Sequence, residues 1–367
     1  MKKKRILTIQ GAAGFGGGAS ESLVQFLNEI NRSRFDIYLI IPNCQALEEG
    51  IRKKTKQNKI FIYNLTENNS IFQYCFTILK FAVFLLQNKI DLIYIVDWGV
   101  LWKPAELISA KILHIPIISH IRVPPQVLGT KSFLRLSNLI IGNSAFTLSP
   151  LKNTGLPIKV IYNFISIKQV DEGTSNFVPH KGQLKIAFVG KVRIKKGVMI
   201  YIDAAAEVLK KQKNVHFYIV GYDKGDSDGC LDKAKKTVRQ KCISEYFTFT
   251  GLLLDAPQFM KHMDIIVVPS IFEEPFGRVN IEAMAARKAV IASNVGGIPE
   301  IIEQNKTGLL VPRGDVKALA TAMERLIEDE QLRTKLSTNG RKIVEKRFNS
   351  KKQIIKLEKM FYENIKR

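Results

Sequence analysis

Short apolar segments alternate with amphipathic segments along most of the chain. In the first half, apolar runs typical of buried strands lie at residues 5–10, 36–41, 59–63, 91–96, 116–119 and 139–142. Segments with helical spacing or composition lie between or after them, at residues 20–30, 71–87, 105–113 and 144–154. Strands that alternate with helices predict a parallel sheet with helices on both faces, because parallel neighbours need a crossover connection.

A second alternating series follows a polar segment at residues 168–182, which contains Asp-Glu-Gly-Thr-Ser-Asn and a proline and is typical of a linker. Strands are expected again at residues 184–190, 215–221, 246–250, 264–268, 289–292 and 308–311. The 367 residues also exceed one ordinary domain of ~100 to 200 residues. The fold class is therefore predicted to be α/β, with two doubly wound, Rossmann-like domains.

We predict an N-terminal domain at residues 1–168, a linker at 169–182, a C-terminal domain at 183–349 and a last helix at 350–367. Ligands of doubly wound sheets bind beyond the carboxyl ends of the strands. The active site is therefore expected in a cleft between the two domains.

Ile71–Gln87 is the most apolar segment. It is shorter than the ~20 residues that a membrane span needs, and Lys80 lies near its middle. It also lies between two predicted strands, where a crossover helix is required. We expect a mostly buried helix of the first domain; the alternative is a helix that lies at a membrane interface.

The composition is strongly basic, with a formal net charge of +23. Residues 1–180 carry 21 Lys and Arg against 11 Asp and Glu, so the excess is spread over both halves. No nucleic-acid-binding motif accompanies the charge, which argues against sequence-specific nucleic-acid binding. An anionic membrane surface is the better partner, since each basic residue near it contributes about 1 kcal/mol.

The cysteines, Cys44, Cys75, Cys230 and Cys242, lack the spacing of a zinc site or a disulfide framework. This usage indicates a reducing compartment. The basic N-terminus is followed by an apolar run at residues 6–9, which is far shorter than that of a signal peptide. We therefore expect a cytoplasmic protein.

The most informative motif places Glu274 and Glu282 eight positions apart, across a turn formed by Pro275, Phe276 and Gly277. An apolar run precedes the turn and a segment of helical composition follows it, which predicts strand, loop and helix. The first amides of such a helix favour negatively charged oxygen. The two carboxylates are suited to hydroxyl groups, so one ligand with phosphates, a ribose and a sugar satisfies the whole motif.

This motif resembles the E-x7-E motif of the retaining glycosyltransferases of family 4, also described as glycosyl transferases group 1, which have the GT-B architecture. The resemblance implies that Glu274 contacts the donor sugar and Glu282 the nucleotide ribose. Pro275, Phe276 and Gly277 are then expected beside the donor.

Residues 190–197 resemble the family pattern G-R-x-x-x-x-K-G, and a basic loop at a strand end suits a diphosphate. The resemblance implies that Gly190, Lys191 and Lys196 bind the donor phosphates. Lys191 stands where arginine is usual, and lysine lacks the bidentate fork. Arg193 either assists it or belongs to a solvated basic turn.

Further glycines extend the resemblance. Gly296 and Gly297 lie in a turn that matches G-G-x-P-E and are expected to flank the donor pocket. Gly251 lies where family members contact the nucleotide base through backbone. In the first domain, Gly16 and Gly17 are expected near the donor phosphate and the acceptor. Their loop also fits a weak dinucleotide fingerprint, but the acidic residue that should follow the second strand is absent.

One position departs from the family. Its members often carry a histidine about six residues after the proline that corresponds to Pro116, where this chain has Arg122. Arg122 is therefore expected to contact the donor sugar or the acceptor. His120, two residues earlier, is either a site residue or a packed residue at the strand end.

The resemblance implies a hexosyl- or N-acetylhexosaminyltransferase that works at the inner face of the plasma membrane. Its donor is a UDP- or GDP-sugar and its acceptor a glycan or lipid-linked hydroxyl, in surface polysaccharide, lipopolysaccharide or glycolipid synthesis. No metal and no permanently bound cofactor are expected. The alternatives are a sugar-nucleotide epimerase or hydrolase on the same scaffold, and a noncatalytic sugar-nucleotide-binding or membrane scaffold protein.

Overall fold

The computed structural model describes residues 2–11, 18–57, 59–62, 70–97, 104–125, 134–223, 229–253 and 255–366. The chain divides into two compact units: unit 1 is Met1–Asn163 with Ser350–Arg367, and unit 2 is Phe164–Asn349. The boundary after Asn163 lies before the predicted linker at residues 169–182. Just beyond it, Ile165 pairs with Asn349 in a parallel bridge, and the Ile165 N–H donates to the Phe348 carbonyl over 2.9 Å. These contacts attach the segment to unit 2.

The described part of unit 1 contains a seven-stranded parallel sheet in the order β3-β2-β1-β4-β5-β6-β7. Its strands are β1 (Lys4–Gln10), β2 (Phe35–Ile41), β3 (Ile60–Ile62), β4 (Leu92–Asp97), β5 (Ile117–Ile121), β6 (Leu139–Gly142) and β7 (Ile158–Val160). Its helices are α1 (Gly18–Glu29), α2 (Gln45–Lys54), α3 (Ile71–Gln87), α4 (Pro104–Ile112) and α5 (Ala145–Leu148), together with the C-terminal helix (Ser350–Ile365).

The C-terminal helix completes the core of unit 1. Phe361 is fully buried, with its ring centroid 5.1 Å from that of Tyr94 and 5.9 Å from that of Phe35. The carboxylate of Glu358 accepts a hydrogen bond from the Asn31 amide over 2.8 Å. Apolar packing and a satisfied buried carboxylate therefore hold this helix on the sheet.

Helix α3 has the expected bounds, but the expectation that it is mostly buried is wrong. Along it, only Thr77, Phe81 and Leu85 are buried. Only one face of a helix can pack against a sheet, and here that face carries Phe81 and Leu85. The other face carries large apolar side chains that remain exposed: Phe72, Phe76, Leu79, Val83 and Leu86.

The described part of unit 2 contains a six-stranded parallel sheet in the order β10-β9-β8-β11-β12-β13. Its strands are β8 (Leu184–Val189), β9 (Val215–Val220), β10 (Phe247–Gly251), β11 (Ile265–Val268), β12 (Ala289–Ser293) and β13 (Leu309–Val311). Its helices are α6 (Ile167–Glu172), α7 (Val198–Val208), α8 (Cys230–Gln240), α9 (Ala256–Met260), α10 (Arg278–Ala285), α11 (Val316–Glu328) and α12 (Glu330–Ile343).

A buried arginine joins three helices of unit 2. Arg341 of α12 donates to both carboxylate oxygens of Asp171 in α6, over 2.8 and 2.7 Å, and to the Ala285 carbonyl at the end of α10 over 2.6 Å. The hydrogen bonds from Arg341 hold the pKa of Asp171 below its ordinary value. This contact fixes the end of the helix that carries Glu282.

We expect Asp171→Asn to lower the melting temperature near neutral pH by about 2 °C, because the carboxylate is half exposed and its ion pair is screened. The folded pKa of Asp171 lies below its unfolded value of about 3.9, so its contribution is present above that pH. It is lost as the pH falls through the folded pKa. Melting curves of wild type and variant should therefore converge in acid.

Glu172→Gln is the matched control, since Glu172 is 67% exposed and lies 3.9 Å from Lys168. Its melting temperature should follow that of the wild type at each pH. A difference between Asp171→Asn and wild type that persists unchanged in acid would contradict the role of the Asp171 charge.

Candidate active site

The site predicted from the glutamate motif lies at the carboxyl edge of the unit 2 sheet. In the order of strands, β9 and β10 extend from one side of β8, whereas β11, β12 and β13 extend from the other. The chain direction across the sheet therefore reverses between β8 and β11. Loops that leave neighbouring strands on opposite sides open a crevice at such a switch point.

The loop after β8 brings Lys196 to this switch point. Residues 194–196 form a short 3-10 helix, and Gly197 ends it with φ +79° before α7 begins. A Cβ at Gly197 would lie 1.7 Å from the Pro269 carbonyl oxygen. A residue without a side chain is therefore required for the close approach of the two loops at the switch point.

Glu274 comes from the loop after β11 and meets Lys196. One of its carboxylate oxygens lies 2.6 Å from Lys196 Nζ and accepts from Ser270 Oγ over 2.7 Å. Glu274 is 6% exposed, so this pair of donors satisfies a carboxylate that is almost completely buried. The Lys196 ammonium also lies 4.9 Å from the centre of the Phe272 ring, within range of a cation–π contact.

Glu282 lies one turn into α10, which begins after Gly277 in the left-handed conformation with φ +84°. Arg278 Nε donates to the Glu282 carboxylate over 2.6 Å, and both side chains are mostly buried. An arginine in the first turn is unfavourable, because it adds positive charge at the positive end of the helix dipole. The Glu282 carboxylate four residues later compensates that charge. The pair holds the carboxylate near the start of the helix.

A third loop closes against the glutamate motif. The Gly297 amide donates to the Glu274 carbonyl over 2.8 Å, and the Gly296 amide donates to the Glu273 carboxylate over 2.6 Å. Arg313, after β13, donates to the other oxygen of Glu273 over 3.0 Å. Loops that follow three strands therefore share hydrogen bonds around residues 273–274.

The remaining predicted residues of unit 2 lie on or beside these loops. Gly190 directly follows β8, and Gly251 ends β10 with φ +72°. Lys191 is exposed and Arg193 is half-buried at the start of the 3-10 helix. Phe276 is buried with its ring centroid 5.7 Å from that of Phe348. In the same turn, Pro275 is half-buried.

Two predicted residues lie in unit 1, at the carboxyl end of β5. His120 is buried, its Nδ1 lies 2.6 Å from the Tyr94 hydroxyl, and its Nε2 has no hydrogen-bond partner in the described part of the chain. Burial and the Arg122 charge hold the pKa of His120 well below its ordinary value, so the imidazole is neutral. Arg122 is also buried and donates to the Asn163 side chain over 2.7 Å.

Gly16 and Gly17 lie outside the described residues. Among the residues that are described, no group of three His, Cys, Asp or Glu side chains is placed to hold a metal ion. The same residues contain no helix with the length and apolar character needed to cross a membrane.

A sequence model of the family described as glycosyl transferases group 1 matches residues 172–343. The resemblance to this family is confirmed over that range. Lys196, Glu274 and Glu282 all lie within the matched group 1 region.

Curated relatives match parts of the chain, including the following two. An alpha-D-kanosaminyltransferase from Streptomyces kanamyceticus is 31% identical over 157 residues, which cover 42% of this chain and 39% of the relative. The capsular polysaccharide biosynthesis glycosyltransferase CapM from Staphylococcus aureus is 33% identical over 191 residues, which cover 49% of this chain and 46% of CapM. The chain therefore spans less than half the length of either relative.

The solved structure of HepE from Anabaena in complex with UDP is similar over both units. It has a TM-score of 0.82 and 21% identity, and the match covers 98% of this chain and 100% of HepE. This likeness confirms the predicted fold class, an α/β protein of the GT-B type with two Rossmann-like domains.

Sequence reasoning missed several residues of the candidate site: Ser270, Glu273, Arg278 and Arg313. The spacing of Arg278 and Glu282, four residues apart on a predicted helix, is a signal that could have found that pair. Glu273 and Arg313 lie forty residues apart, so no local pattern links them.

We expect Gly296→Ala to destabilise unit 2 strongly, because a Cβ there would lie 2.1 Å from the Glu274 carbonyl oxygen and φ is +54°. Gly314→Ala is the matched control: its φ is +74°, but a Cβ would meet nothing within 4 Å. The control should lose about 1 kcal/mol of stability from strain alone. Thermal melting should place Gly296→Ala at least about 3 °C below Gly314→Ala; equal melting temperatures would show that the loop is not closely packed.

Proposed function

We propose that this protein is a retaining glycosyltransferase of family 4, which transfers a sugar from a nucleotide-diphosphate-sugar to a hydroxyl group of its acceptor. The observation that carries the proposal is the Lys196–Glu274 ion pair at the switch point of the unit 2 sheet. A cation, a buried carboxylate and the start of α10 lie close together in sequence or by direct contact at this edge of the sheet. These groups match the charges and hydroxyls of such a donor.

Lys196 is assigned to the donor diphosphate. The Lys196 side chain is 28% exposed, so it can reach a ligand while Glu274 orients it. The amides that follow Gly277 offer further donors to phosphate oxygen at the start of α10. Negative charge grows on the diphosphate as its bond to the sugar breaks, and preorganised cations and amides lower the barrier by stabilising that charge.

Glu282 is assigned to the ribose, and Arg278 is assigned to holding the Glu282 carboxylate in place. A carboxylate accepts hydrogen bonds from two neighbouring hydroxyls, and such charge-assisted bonds are stronger than neutral ones. Glu274 is assigned to the donor sugar. In the proposed reaction the acceptor oxygen bonds to the anomeric carbon, the bond from that carbon to the diphosphate breaks, and the leaving diphosphate takes the acceptor's proton.

The proposed donor is a UDP-sugar, with a GDP-sugar as the alternative; the UDP bound to HepE supports the first. The proposed acceptor is a glycan or lipid-linked hydroxyl, as in surface polysaccharide synthesis, which is the process named for CapM. The net charge of +23 supports work at an anionic membrane surface, on its cytoplasmic side.

We expect one of UDP, GDP and ADP to raise the melting temperature of the wild type selectively, because a ligand that binds only the folded state stabilises it. Glu282→Ala should weaken the binding of that nucleotide about 10- to 100-fold, since the substitution removes charge-assisted hydrogen bonds to it. Titrated thermal shifts measure both effects.

Glu303→Ala is the control, because Glu303 is exposed and its carboxylate pairs with Lys306 three residues later. It should retain the wild-type affinity. Equal affinity in Glu282→Ala and Glu303→Ala would remove Glu282 from the donor site.

We expect Lys196→Met to lower turnover about 100-fold or more, because it removes a cation from the leaving group. Release of nucleoside diphosphate from a donor sugar, with and without acceptor glycans, is the measurement. Lys195→Met is the matched control, since this neighbouring lysine is exposed.

Release of nucleoside diphosphate that requires an acceptor identifies a transferase. Release without acceptor identifies a hydrolase, and binding without release identifies a noncatalytic protein. Either of the last two results would refute the proposed reaction.

A further inference from the structure

Helix α3 exposes five large apolar residues on one side, Phe72, Phe76, Leu79, Val83 and Leu86, which we call its outer face. We propose that this outer face docks on the surface of an anionic lipid bilayer. The inference deepens the membrane part of the proposed function, because it names the element that binds the membrane.

The geometry of the helix places these five side chains in one stripe. They recur every three or four residues, which keeps them on one side of an α-helix. In chain order, the five residues are 79, 60, 63, 42 and 60% exposed. The residues that pack on the sheet, Phe81 and Leu85, lie on the opposite side. The stripe therefore faces away from the core of unit 1.

An ordinary surface helix carries polar side chains on its outer side. Contiguous exposed apolar patches on soluble proteins mark interaction sites. The seventeen residues of α3 span about 25 Å, and no described helix is long and apolar enough to cross a membrane. This combination suits a helix that lies in the plane of the interface, with its outer face among the lipid chains.

The charges favour lipid over a second copy of the chain. Residues 71–87 contain no Asp or Glu, and the charged residue on the helix is Lys80, which is exposed. Lys89, just beyond the helix, is also exposed. A second copy would place the same lysines opposite one another and would carry the same net charge of +23, whereas anionic headgroups attract these lysines.

Vesicle flotation of the full chain tests the proposal without donor or acceptor. The wild type should bind phosphatidylcholine vesicles that contain about 30% phosphatidylglycerol, and should bind pure phosphatidylcholine vesicles more weakly. Substituting Phe72, Phe76 and Leu79 together by serine should reduce the partition coefficient roughly tenfold or more, because apolar area is lost from the interface. Lys80→Glu should reduce it on the anionic vesicles and much less on the neutral ones.

The matched control replaces three exposed apolar residues outside α3, Val178, Leu252 and Ile355, by serine. It should bind vesicles as the wild type does. Wild type that does not float, or an α3 variant that binds as the control does, would overturn the proposal. If the wild type self-associates, the α3 variant does not, and both bind vesicles equally, the outer face belongs to a contact with a second copy. That result would also overturn the proposal.

Thermal shifts with nucleotide on the same samples separate this proposal from the proposed reaction. The α3 variant should keep the wild-type melting temperature and nucleotide response, because its substituted side chains are exposed. A nucleotide response without vesicle binding refutes the docking surface alone. Vesicle binding without a nucleotide response refutes the donor site alone.

Discussion

The parallel pairing of β8 with β11 is the constraint on which the candidate site depends. Ile186 pairs with Ile265 and Phe188 with Val267, so both strands end at the same edge of the sheet. Their loops therefore begin next to each other, and the Ile271 amide donates to the Lys195 carbonyl over 2.9 Å. A shift of this pairing would separate a cation and a carboxylate that lie 78 residues apart in sequence.

The ion pair at this edge is also a requirement of burial. A carboxylate that is almost completely removed from water is costly unless donors replace the lost hydration. Glu274 has two such donors, Ser270 and Lys196. The Lys196 side chain remains 28% exposed, so the ion pair compensates the buried carboxylate without removing the lysine completely from water.

The sequence predicted the elements whose signals are local. β8 and β11 were found because a strand buried on both faces is a short continuous apolar run. β7 was missed, since it is a three-residue strand in which Lys159 is exposed. α6 was missed because its polar composition resembles a linker. The burial of α3 was predicted wrongly because periodicity does not show which face is covered. The links between Glu273, Gly296 and Arg313 depend on tertiary structure and have no local signal.

The position of the C-terminal helix has a consequence for synthesis of the chain. Unit 2 is one continuous segment, whereas unit 1 combines residues from both sides of it. A ribosome releases the strands of unit 1 first, yet Phe361, which fills the core beside Phe35 and Tyr94, emerges after all of unit 2. All of unit 2 has therefore emerged before unit 1 can complete its core. The unit that begins to emerge first is the last to close.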